Sequence, residues 1–172
     1  MAMTPRLRKL ALTAHITSTV GWIGSVVCFL VLAITGLTSN VSEMVRSAYL
    51  AMDLISRLVI VPLCFISLVT GIVQSLGTKW GLFKHYWILI KFIITTLSTI
   101  ALLIHTQPIS YMAGVATDNA ISSAVLRVQI QLVVAPGAAL LALLITTVLA
   151  VYKPKGLTPY GWKKQYQQRT GS

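Results

Sequence analysis

The 172-residue chain is predicted to form an all-α, four-helix transmembrane bundle, on three observations. Four apolar stretches, at about 10–37, 54–76, 87–106 and 126–152, each reach the roughly 20 residues that a helix needs to cross a hydrocarbon core. Only three acidic residues occur, Glu43, Asp53 and Asp118, and none lies within a stretch. The stretches consume most of the chain, so a single integral membrane domain over 1–172 is expected, with no separate soluble domain.

The first stretch follows Arg6, Arg8 and Lys9. A basic start before an apolar run also suits a signal peptide. This run is too long and lacks a small-x-small cleavage site, so it reads as the first helix. The second helix is expected to begin near Val41, with Asn40 capping it, and to project beyond the membrane. Its early turns place Glu43 three residues before Arg46, and Asp53 four before Arg57, spacings that bring opposite charges together on a helix. The third stretch is expected to end near Thr106. Thr117 or Asp118 is expected to cap an early start to the fourth helix. After Tyr152 come Pro154, Gly156, Pro159 and Gly161, which read as a basic, irregular tail. Arg57-Leu-Val-Ile-Val-Pro62 is similar to Gln131-Leu-Val-Val-Ala-Pro136, as if two helical hairpins repeat. Both prolines are expected to kink or locally open their helices. Cys28 and Cys64 lie inside stretches and read as packing residues, not a disulfide.

The net charge of +11 resembles that of a nucleic-acid binder, but its distribution excludes that class. Eleven basic residues lie before stretch one, between stretches two and three or just inside stretch three, and after stretch four. Only Arg46, Arg57 and Arg127 lie on the other side. By the positive-inside rule both termini and the 77–86 loop are expected to be cytoplasmic, with the basic flanks against anionic lipid.

Polar residues on the helices form stripes. Trp87, Lys91, Thr95, Ser98 and His105 share one face of helix three; Ser56, Ser67, Thr70, Gly71 and Gln74 share one of helix two; His15, Ser18, Thr19 and Trp22 share one of helix one. Facing lipid would be costly, so the stripes are expected to point into the bundle, where small residues also allow close packing. His15, Gln74 and Lys91 stand out. They lie on three helices at similar depth near the cytoplasmic ends, and ionisable groups in a membrane mark functional sites. No acid lies near Lys91, so its charge is expected to need an anion from elsewhere, or the lysine to be neutral. The bland readings are a lysine that snorkels to the interface and a histidine bonded to a backbone carbonyl. His105 lies at the opposite end and is not expected to share the site. His85 is an interfacial anchor on the side of His15. A carboxylate relay, a zinc cluster and a phosphate-binding glycine loop all lack their residues.

Lys79-Trp80-Gly81-Leu82-Phe83-Lys84-His85-Tyr86-Trp87, continuing to Lys91, resembles a family of uncharacterised bacterial four-span membrane proteins common in actinobacteria, as does the tail from Tyr152 to Trp162. This resemblance covers nearly the whole chain and implies a multi-pass protein of a bacterial plasma membrane, without an assigned activity. Some members carry a histidine in the fourth span near Ala135, where this chain has Ala135-Pro136. A more distant resemblance is to the haem-containing membrane protoporphyrinogen oxidases and the copper-resistance D proteins. The oxidases pair a first-helix His-x6-Trp with a third-helix Trp-x3-Lys, matched here by His15…Trp22 and Trp87…Lys91. This resemblance implies haem, with His15 as axial ligand to the metal and Lys91 paired with a propionate. His85 is then a candidate second ligand, Gln74 a polar partner, and Trp22 and Trp87 the walls. Two other readings stay open: a binding or transport protein for a small anionic or amphipathic molecule, and an accessory subunit of a larger membrane complex or homo-oligomer.

Overall fold

The computed structural model describes residues 3–77, 81–117, 123–154 and 156–170. Helix α1 spans Pro5–Thr38, α2 Ser42–Gly77, α3 Tyr86–Thr117, α4 Ser123–Tyr152 and α5 Pro159–Thr170. The first four contain stretches long and apolar enough to cross a membrane. They form a ring in which each packs on its chain neighbour and α4 closes against α1. The protein is thus a multi-pass membrane bundle. Four crossings leave both ends of the chain on one side, here called the terminal end.

Local sequence explains the boundaries. Thr4 caps α1, accepting from the Leu7 N–H through its hydroxyl, with Pro5 in the first turn, where a missing N–H costs nothing. Helix α2 is continuously helical over 36 residues, about 54 Å at 1.5 Å per residue, so it projects beyond a hydrocarbon core. Its start differs from expectation: Val41, not Asn40, occupies the cap position, and no side chain caps it. One turn, Ser56–Ile60, is π-helical, and the Val61 N–H reaches back to the Ser56 carbonyl. Pro62 follows directly. Its ring would crowd the carbonyl four residues back in a regular helix, and the wide turn relieves that crowding. Pro136 sits within regular α-helix, so the two similar proline segments are handled differently.

Two further boundaries correct the sequence reading. Helix α3 does not stop near Thr106 but continues through Pro108 to Thr117, so Thr117 ends α3 and does not start α4. Asp118 lies outside the described residues. The tail is not irregular throughout, because Pro159–Thr170 is helical. Pro159 follows Thr158, whose hydroxyl accepts from the Gly161 N–H, and together they make a regular N-terminus. Pro and Gly in this segment mark a helix start, where proline fits.

The core fills the half of the bundle away from the termini. Tyr49, Met52, Cys64, Met112 and Leu132 are buried there against Phe29 and Ala33 of α1. Gly36 admits the Tyr49 ring, which a Cβ at that position would strike. The outward faces are aliphatic: Leu10 is 68% exposed, Leu141 64% and Val151 71%, which suits lipid contact. Both cysteines are free; Cys28 faces outward, and the Cys64 thiol donates to Thr99 Oγ1 at 3.1 Å. The only ion pair among the described residues, Asp53–Arg57 at 3.0 Å, joins Ser110 at the opposite end from the termini.

Candidate functional site

The terminal half of the bundle holds a cavity of about 880 Å³ bounded by all four spans. Its walls include Ile16, Ile72, Phe92 and Leu143, and its polar groups come from His15, Gln74 and Lys91. Residues from three helices, dispersed in the sequence, thus face one space. Trp22 and Trp87 line it as well.

His15 is positioned by α2. Its Nδ1 lies 3.1 Å from the Ser67 carbonyl oxygen and 3.1 Å from Thr70 Oγ1. A carbonyl only accepts, so this hydrogen bond assigns the proton of a neutral ring to Nδ1 and the lone pair to Nε2. The Thr70 hydroxyl donates to the Ile66 carbonyl at 2.6 Å, which leaves its oxygen free to accept from the ring. Nε2 has no hydrogen-bond partner among the described residues. Gly71 makes the approach feasible, because a Cβ there would lie 3.2 Å from His15 Cε1. The Ser67 hydroxyl is paired with Thr19 Oγ1 at 2.9 Å, tightening the same helix contact.

Gln74 has a different role from the one expected. It lines the cavity, but its amide nitrogen donates to the Ala11 carbonyl at 2.9 Å, tying α2 to α1 one turn below His15. Trp22 is 2% exposed and belongs to the core, closing the cavity from inside. Trp87 is half-buried, and its ring centroid lies 6.0 Å from Lys91 Nζ, within range of a cation–π attraction. The Lys91 carbonyl accepts from Thr95 Oγ1, as in a regular helix.

Lys91 is half-buried and has no carboxylate partner among the described residues, whose one ion pair is at the other end of the bundle. Arg8, Lys9 and Lys153 also line the cavity, so its charged groups are all cationic.

His85 does not line this cavity. It sits in the 81–86 segment, bridged to Leu157, with its ring 6.4 Å from that of Trp87. The pairing of that segment with the tail holds His85 at the bundle end, which corrects the expectation of a second ligand. His105 stays at the other end, with Nδ1 2.7 Å from the Ala101 carbonyl and Nε2 3.3 Å from Gln131. No group of three or more metal-binding side chains occurs among the described residues, and His15 is the one His, Cys, Asp or Glu among the cavity's lining residues.

Sequence reasoning missed Lys153 and the threonines of α4, Thr146 and Thr147. Lys153 follows a span and reads as a flanking charge; the threonines lie in an apolar stretch and carry no signal of their own. It had placed Ser67 and Thr70 on the inward stripe, but not as partners of His15. Compared with protein-family models, curated proteins and solved structures, the chain gives no match.

Proposed function

We propose that this protein binds an amphipathic anion in the cavity at the terminal end of its bundle, and that the occupant is haem. The observation that carries this reading is the juxtaposition of His15 and Lys91 on one apolar-walled cavity with no carboxylate. A half-buried cation without a counter-ion among the described residues favours an anion from outside, and aliphatic walls favour a ligand with an apolar body. The volume falls within the range of about 300–1,000 Å³ usual for small-molecule sites.

His15 supports haem in particular. Metal-ligating histidines commonly donate their second ring N–H to a backbone carbonyl, which orients the ring and leaves the other nitrogen basic. The Nδ1–Ser67 bond is such an arrangement. Lys91 would meet a propionate, and Trp22 and Trp87 would wall the ring. When bound, the iron would supply one-electron chemistry; the chain's own part is to orient the ligand, neutralise its charge and exclude water. The likeness of His15…Trp22 and Trp87…Lys91 to the oxidase patterns supports the same choice. The basic flanks support placing the cavity in the cytoplasmic leaflet of a bacterial plasma membrane, with both termini inside.

A metal-free amphipathic anion is the second reading. It needs Lys91 alone and leaves His15 as a tie between α1 and α2, a role its bonds to Ser67 and Thr70 also suit. The visible spectrum of gently purified protein separates the two. Haem gives a Soret band that disappears in His15→Ala and is retained less well in Lys91→Ala. A band unchanged in His15→Ala removes His15 as ligand, and a colourless protein carrying an extracted acid supports the second reading.

A further inference from the structure

We propose that Lys153 is a second anion-binding point of the cavity, so that the ligand carries two acidic groups, one met by Lys91 and the other by Lys153. This rests on the anionic-ligand reading above and deepens it.

Lys153 stands directly after α4, and its φ of +44° makes it the one non-glycine residue in the left-handed region among the described residues. The position is ordinarily given to glycine or asparagine, because a Cβ is disfavoured there. Pro154 prevents Lys153 from continuing the helix. The Lys153 N–H still closes onto the Leu149 carbonyl at 3.2 Å, so the chain turns tightly at the helix end. Despite this disfavoured backbone, the residue is a lysine; it is exposed, and it is one of the residues that line the cavity.

The turn is also held from beyond. The Tyr86 N–H donates to the Gly156 carbonyl at 3.4 Å, and the Thr158 N–H donates to the Lys84 carbonyl at 3.0 Å. The Thr158 hydroxyl donates to the Phe83 carbonyl at 2.5 Å. Lys153 is therefore fixed between a helix end and a latch onto the 81–86 segment, not carried on a loose tail.

Lys91 and Lys153 line the same cavity, and neither has an acidic partner among the described residues. Lys91 is half-buried and Lys153 exposed, so a diacid with an apolar body can reach both, its body against the aliphatic walls and one acid group on each cation. The ordinary account of Lys153 is a cation favoured by the helix C-terminus and otherwise solvated. That account gives it no effect on a ligand.

The test uses the full chain in detergent and two fluorescent probes, protoporphyrin IX, a diacid, and its dimethyl ester. Wild type is expected to bind the diacid more tightly than the diester. Lys153→Asn and Lys153→Gly should each lower diacid affinity about threefold, the scale of an exposed ion pair, and leave the diester unchanged. Lys153→Arg should retain wild-type affinity. Glycine takes the left-handed conformation freely, so a loss in Lys153→Gly cannot come from backbone strain. If both neutral variants bind the diacid like wild type while Lys91→Gln is weakened, Lys153 is only solvated and the anionic-ligand reading survives. If Lys91→Gln is also unchanged, or wild type binds neither probe, both proposals fall.

Discussion

The imidazole Nδ1 of His15, on α1, lies 3.1 Å from the main-chain carbonyl of Ser67, on α2. That contact links two spans and at the same time leaves Nε2 as the unshared nitrogen on a cavity wall. The residue is therefore a tie between helices and, in the proposed function, a ligand, and its variants separate the two roles. His15→Ala should lower stability by about 1 kcal/mol, the usual net worth of one hydrogen bond, and should abolish the Soret band. Thermal unfolding and visible absorption of the same preparation read the two effects. Loss of stability without loss of colour would leave His15 as a tie only.

Gly71 provides the space for that ring. A leucine there must displace His15, since even a Cβ would lie 3.2 Å from Cε1. Gly71→Leu is expected to lose bound haem to the extent that His15→Ala does, although Gly71 itself offers no ligand atom. Gly71→Ala asks the ring to move only a few tenths of an ångström and should retain most of the haem. Equal retention in all three proteins would show that the ring position does not matter to the ligand.

Lys91→Glu should bind haem less well than Lys91→Ala. Alanine removes an attraction, whereas glutamate adds a repulsion in a weakly screened setting. Retention of haem through a desalting column ranks the variants. Glutamate retaining as much as alanine would mean that no anion sits near residue 91.

Gly161 is packed so closely that a Cβ would run into the carbonyl of Lys84. Gly161→Ala should undock α5 from the 81–86 segment, and limited proteolysis should then cut within 157–170 faster than in wild type. The spans themselves should be unaffected, because the latch lies at their ends. An unchanged cleavage rate would indicate that the docking does not protect the tail.

The orientation is open to labelling. In a protein whose Cys28 and Cys64 are replaced by serine, a cysteine at position 172 should resist a membrane-impermeant maleimide added to intact cells, and one at position 42 should react. Reaction at 172 from outside would overturn the assignment of the termini to the cytoplasm.

The bundle itself was legible in the sequence. Hydrocarbon demands long, internally hydrogen-bonded apolar helices, and a chain with four of them and almost no acid has few other ways to fold. Helical periodicity also marked His15, Gln74 and Lys91 as inward, because a polar stripe on a span must turn from lipid. Local chemistry was less reliable at boundaries. The third stretch reads as ending near Thr106 but α3 runs on through Pro108, and Pro159 reads as loop but opens α5. Pro159 fits because its missing N–H falls in a first turn, where a helix needs none.

What only the tertiary structure decided is how the polar groups meet. Ser67 lies fifty-two residues from His15, and its carbonyl sets the imidazole's proton through a contact that no local spacing encodes. Gln74 proved to be a tie to Ala11 because its amide reaches the neighbouring helix. Lys153 joined the cavity because a left-handed turn and the latch to the 81–86 segment place it there. Periodicity along one helix determines which face points inward. The depth and direction of a side chain against its neighbours depend on how the helices pack, and that is a property of the whole bundle.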